Sequence, residues 1–137
     1  MRTTREALEN QSDIFHVIIR GNGQQILFEK NRDARSFLTL MRTYADKYEQ
    51  DIFCYCLMEN HVHILLKDST RQMRHFMHAL NGTYAQIYNE NYHHVGHVFQ
   101  GRYMSEPVRG ELYFITVFRY ILKNPEKAGI ARHDLYP

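Results

Sequence analysis

The spacing of apolar positions changes several times along the chain, and each change marks an element. From Ile14 to Arg20 the run Ile-Phe-His-Val-Ile-Ile-Arg is rich in β-branched residues and stops at Gly21-Asn22-Gly23. This predicts a first strand followed by a turn, with Gln24 to Phe28 as a short strand-like piece of the connection. The period then becomes helical. Ala34, Phe37, Leu38, Met41, Ala45 and Tyr48 recur about once per turn, with Arg35, Arg42, Asp46 and Lys47 between them. Asn31 suits the cap of this helix and Asp33 its first turn. Two further strands are predicted over Ile52–Met58 and His61–Lys67. Only Glu59-Asn60 separates them, so they should pair as an antiparallel hairpin.

Ser69-Thr70-Arg71-Gln72 has the spacing of a capping box. The helix it opens carries Met73, Phe76, Met77, Leu80, Tyr84, Ile87 and Tyr88 on one stripe. Gly82, after Asn81, costs about 1 kcal/mol relative to alanine and predicts a bend. Asn89 to Gly96 reads as a polar loop, and Tyr103 to Val108 as a last strand with Pro107 at its edge or end. Leu112 to Leu122 is apolar almost all round, so period does not separate strand from helix. Length favours a helix over Glu111–Lys123, ended by Asn124-Pro125. The order β-α-β-β-α-β-α predicts an α+β domain over residues 1–137. Its expected form is a ferredoxin-like antiparallel sheet with the helices packed mainly on one face. The polar residues 1–12 are expected to be mobile.

Composition narrows the class. A hydrophobic share of 44% with 23% charged residues is an ordinary globular balance. No apolar run approaches the roughly 20 residues of a membrane span, and the first residues lack a signal-peptide core, so a cytoplasmic protein with no membrane partner is expected. Cys54 and Cys56 then read as reduced core residues. A net charge of +2 is too mild to argue for nucleic acid. Any phosphate-binding surface would have to be a local patch.

Chemistry enters through His61 and His63. Residues two apart on a strand point to the same face, so these imidazoles stand side by side, half of a metal site. As an isolated pair their default reading is satisfied structural histidines. On the last helix, Tyr113, Val117, Tyr120 and Asn124 share a face. If that helix crosses the face of the third strand, Asn124 completes a His-His-Asn set, and Tyr120 stands one turn from it. A phenol ionises near pH 10 and is a poor nucleophile unaided. Beside a phosphate held in line it can form a phosphotyrosine. Tyr84 and Tyr88, on the apolar stripe, read as core. His93, His94 and His97 have no fixed ligand spacing and read as loop residues facing solvent or nucleic acid.

The stretch Met58-Glu59-Asn60-His61-Val62-His63-Ile64-Leu65-Leu66 resembles the His-hydrophobic-His motif of the single-tyrosine HUH transposases. Phe15-His16-Val17 with Arg20-Gly21-Asn22 resembles that family's opening strand. Gly96 to Tyr103 and Arg119 to Gly129 resemble its two later motifs. The four occur in the family's order, span about residues 14–130, and point to the branch associated with repetitive extragenic palindromes (REP). The resemblance implies a divalent metal, Mg²⁺ or Mn²⁺, on His61, His63 and Asn124, with Tyr120 as nucleophile. It implies single-stranded DNA, often a hairpin, cut to a 5′-phosphotyrosine and a free 3′-hydroxyl. Arg20, Asn22, Arg102 and Arg119 are candidate DNA contacts. Relatives include homodimers and monomers, so both stay open. Asn124 stands where the wider group also uses Gln, and Glu59 where relatives commonly have Pro. The alternative is a non-catalytic protein that binds single-stranded or hairpin nucleic acid without cutting it.

Overall fold

The opening run forms β1 (Ile14–Arg20) in the computed structural model, which describes residues 13–124 and 127–130. The segment expected to be mobile, 1–12, lies outside the described residues. Alternation sorts β1 into two faces. Phe15, Val17 and Ile19 are buried on one, while Ile14, His16 and Ile18 lie half-buried on the other. A 3₁₀ turn at Asn22–Gln24 follows, so no strand continues through residues 24–28. Gly21 is required there by close approach, since a Cβ would lie 2.3 Å from the Gln25 carbonyl oxygen.

The remaining elements are α1 (Asn31–Lys47), β2 (Gln50–Leu57), β3 (His61–Asp68), α2 (Met73–Tyr92), β4 (Met104–Pro107), α3 (Glu111–Leu122) and β5 (Lys127–Ile130). They make one five-stranded sheet in the order β4-β1-β3-β2-β5, with all neighbours antiparallel. The predicted α+β, ferredoxin-like order is therefore present, with β5 added at the edge beside β2. Gly129 of β5 packs flat against Tyr55, where a Cβ would meet the phenol oxygen at 2.6 Å.

Helices α1 and α2 cover one face, as expected. Phe37, Met41 and Ala45 of α1 and Phe76, Met77, Leu80 and Tyr84 of α2 bury against Phe15, Val17, Ile19, Val62, Ile64 and Leu66. The third helix lies on the opposite face, where Val117 and Ile121 bury against Cys54, Cys56, Leu65 and Val108. Twenty buried residues make the first cluster and six the second. Most of the apolar burial that stabilises the fold is thus on the α1/α2 side. Cys54 and Cys56 are buried and form no disulfide, as read from sequence.

The caps differ from expectation. α1 begins at Asn31, and the carboxylate of buried Asp33 accepts from the amides of Glu29 and Lys30 and from the Tyr92 hydroxyl. α2 is capped by Asp68 rather than by a Ser69–Gln72 box. Its two oxygens accept from the Gln72 and Met73 amides at 2.8 and 3.0 Å. A carboxylate does this better than a hydroxyl, because it takes two donors and adds charge at the helix N-terminus. α2 also runs unbroken through Asn81-Gly82 and on to Tyr92, absorbing the start of the expected loop.

Candidate active site

The site lies between β3 and α3. β3 is the centre of the sheet, so its side chains are placed by pairing on both sides. His61 stands opposite Arg20 of β1, and His63 stands between Ile18 of β1 and Cys56 of β2. The hairpin before it closes over two residues, Met58 N–H donating to His61 C=O at 2.8 Å. Its tip is tied to the neighbouring loop, with Gly21 and Leu27 amides donating to the Asn60 and Glu59 carbonyls. His61 and His63 face α3 with ring centroids 5.0 Å apart.

The two rings differ in environment. The Nδ1 of His61 lies 2.9 Å from Oδ1 of Asn60. An amide oxygen only accepts, so this contact is a hydrogen bond when His61 carries its proton on Nδ1, which leaves the lone pair on Nε2. His63 is 5% exposed. Burial first, then the charges of His16, His61 and Arg20, push its pKa down to about 4, so it is a neutral imidazole at physiological pH. These are the properties a divalent metal requires of histidine ligands, and the pair fits one. Asn124 follows the end of α3, half-buried, its amide donating to the Ile121 carbonyl at 3.3 Å. Among the described residues no three His, Cys, Asp or Glu side chains form a metal-holding group.

Tyr120 comes from the facing helix. α3 is held down by Val117 and Ile121, which bracket the tyrosine. The Tyr120 ring meets His63 edge-on, centroids 5.6 Å apart and planes at 87°, and is 56% exposed. It also lies 6.4 Å from the ring of His16. Tyr84 and Tyr88 are buried on the other side of the sheet, as expected of core residues.

The candidate DNA contacts are only partly brought together. The segment before Arg102 is zipped to the end of β1, through Asn22 N–H to the Val98 carbonyl and Gln100 N–H to the Arg20 carbonyl, both 2.9 Å. Arg20, Asn22 and this segment therefore gather at the His61 end of β1, and Arg20, Asn22 and Arg102 are exposed. Arg119 is exposed elsewhere, along an apolar depression with Phe114, Ile115, Phe118 and Leu122. Successive helix residues point about 100° apart, so it does not share Tyr120's direction. The histidine loop forms local contacts instead of a second centre, such as Nδ1 of His94 at 2.7 Å from Oδ1 of Asn89.

The spacing of functional residues did not single out His16. Its ring lies nearly coplanar with that of His63, centroids 5.2 Å apart and planes at 24°, and its Nε2 is 3.0 Å from the Nδ1 of His63. The available signal was its place in an alternating strand, on the face away from Phe15 and Val17.

The chain thus combines an antiparallel sheet, a histidine pair on its central strand and an exposed tyrosine on a facing helix. The chain belongs to the IS200-like transposase family, whose model matches residues 10–124. Two solved structures share the fold. One is a REP-associated tyrosine transposase bound to a REP hairpin, with a TM-score of 0.70 at 10% identity over 83% of this chain and 67% of that one. The other is a crystal structure assigned provisionally as a transposase, from Deinococcus radiodurans R1. Its TM-score is 0.59 at 19% identity over 88% of this chain and 95% of that one. No curated protein matches the chain. Among the described residues no helix is long and apolar enough to cross a membrane.

Proposed function

We propose that this transposase-family chain cuts and rejoins single-stranded DNA, with Tyr120 as the nucleophile. The observation that carries the reading is the placement of an exposed phenol edge-on to buried, neutral His63, from an element docked on the opposite side of the cleft. His61 and His63 would hold a divalent cation, Mg²⁺ or Mn²⁺, with Asn124 as the third protein ligand. When bound, the cation polarises a phosphodiester and offsets charge building on its oxygens.

The chain's own residues supply the rest. The Tyr120 oxygen attacks phosphorus and the bond to the 3′-oxygen breaks. This leaves a 5′-phosphotyrosine and a 3′-oxygen that takes up a proton to become a hydroxyl. The phenol proton passes to water. The phosphotyrosine keeps the energy of the broken bond for rejoining to another 3′-hydroxyl. Arg20, Asn22 and Arg102 lie at the His61 end of the sheet, where they suit the backbone of the strand being cut. A folded hairpin is the favoured substrate, supported by the shared fold of the hairpin-bound relative.

The test is an SDS-stable protein–DNA adduct on single-stranded hairpin oligonucleotides with Mn²⁺. The adduct should vanish in chelator, return with Mn²⁺, and be lost in Tyr120→Phe. An undiminished adduct in Tyr120→Phe overturns the nucleophile. Hairpin binding that ignores chelator and never yields an adduct would instead mark a non-catalytic binding protein.

A further inference from the structure

The geometry points to His16 as a positioning residue: by accepting a hydrogen bond at its Nε2 from Nδ1–H of His63, it presents the His63 Nε2 lone pair to the cleft. This rests on the reading of His63 as a metal ligand and adds to it the residue that sets the ligand's tautomer.

A neutral imidazole has one donor and one acceptor nitrogen, and fixing one decides the other. Nδ1 of His63 is committed to His16 at 3.0 Å. Nε2 is therefore the nitrogen left to meet a ligand beside Tyr120. It can do so only if the shared proton sits on His63. In the opposite arrangement His16 donates, His63 carries its proton on Nε2, and no lone pair faces the cleft. His61 has solved the same problem with Asn60. The two histidines thus follow matching logic: each Nδ1–H is held by a neighbouring acceptor, and each Nε2 keeps its lone pair.

His16 is itself well placed to accept. With Nε2 engaged, the proton of a neutral His16 belongs on Nδ1. Glu106, directly opposite His16 in the β1–β4 register, places negative charge near the ring. Glu106 also accepts a hydrogen bond from the Tyr113 hydroxyl of α3. Tyr113 and Tyr120 lie two turns apart on one face of that helix. Glu106 thus ties the strand beside β1 to the helix bearing Tyr120. The ring planes lie within 24° of each other, so the two nitrogens meet edge to edge, nearly in plane.

The experiment compares wild type, His16→Phe and His16→Gln. Phe keeps a flat ring beside His63 but offers no acceptor; Gln restores an acceptor oxygen. Long-range ¹H–¹⁵N correlation spectra of the metal-free protein at neutral pH should show His63 protonated on Nδ1 in wild type, and the Nε2–H form gaining in His16→Phe. Mn²⁺ titration followed by electron paramagnetic resonance should show His16→Phe binding about 10- to 100-fold more weakly, with His16→Gln recovering most of the loss. Wild-type His63 carrying its proton on Nε2 overturns the inference. So does Mn²⁺ affinity unchanged in His16→Phe. No Mn²⁺ binding by the wild type would instead sink the metal reading itself, and His16's proposed purpose with it.

Discussion

Ile121→Ala tests whether α3 is an independent clamp on the reaction centre. Ile121 is fully buried in the smaller cluster, against the Cys54, Cys56, Leu65 and Val108 group, next to Tyr120. The substitution removes three buried carbons, worth about 0.8 kcal/mol each by transfer. The unfilled space adds to that, giving about 3 kcal/mol. The larger cluster under α1 and α2 does not include this residue, so the loss should fall on α3 docking rather than on the whole fold. At 1.4 kcal/mol per tenfold, α3 amide hydrogen exchange should speed up roughly a hundredfold. Exchange in α2 should hardly change. Adduct formation should fall with it, because the Tyr120 oxygen spends less time in line. Uniform acceleration across α2 and α3 would refute the separation of the two faces. Faster α3 exchange with undiminished adduct formation would show that docking does not limit the chemistry.

Three further outcomes are expected. The pKa of His63 lies near 4 in the fold against an ordinary 6.5. The unfolded chain therefore binds more protons between those values, so stability should rise with pH across that window and be lost as pH falls toward 4. In melts with chelator, His63→Gln should flatten this slope, and an unchanged slope contradicts the assignment. Asp68→Ala should cost about 2–4 kcal/mol in urea unfolding by orphaning the Gln72 and Met73 amides. Ser69→Ala should cost under about 0.5 kcal/mol, and equal costs would return the cap to Ser69. Tyr84→Phe removes a buried hydrogen bond to the Leu27 carbonyl and should destabilise by about 1–3 kcal/mol. It should leave the adduct rate intact, and loss of the adduct at full stability would give Tyr84 a role it is not assigned here.

Local pattern carried the sequence reading as far as local physics reached. Alternation and helical period located β1 to β3, α1 and α2 because each buries a continuous stripe, while length and the Asn124-Pro125 stop located α3. The short spacing of His61 and His63 exposed the pair because both lie on one strand. The cap of α2 was misplaced by one residue. Ser69 and Asp68 both suit a helix start, and only the three-dimensional turn shows which oxygen meets the amides. The short β5 was missed because its four residues carry no periodic signal and are fixed by pairing with β2. His16 escaped for a related reason. It is forty-seven residues from His63 in sequence, and only the β1–β3 pairing brings the rings together. Of the candidate arginines, sequence had no means of telling that Arg20 and Arg102 would share an end of the sheet while Arg119 looked away.

Strand β3 alternates between two duties: Val62, Ile64 and Leu66 fill the main core, and His61 and His63 face the cleft. Because side chains alternate strictly, one residue inserted into or deleted from the Glu59-Asn60 connection would tend to exchange these sets, sending imidazoles into the core and aliphatic chains to the cleft. Length change and substitution therefore have different fates in the descent of such a chain. Replacing His61 or Tyr120 leaves the buried frame untouched, so a lineage can lose cleavage and persist as a folded DNA-binding protein. Losing the hairpin length removes fold and chemistry at once. Inactive descendants should accordingly keep the two-residue turn unaltered long after the histidines and the tyrosine have drifted.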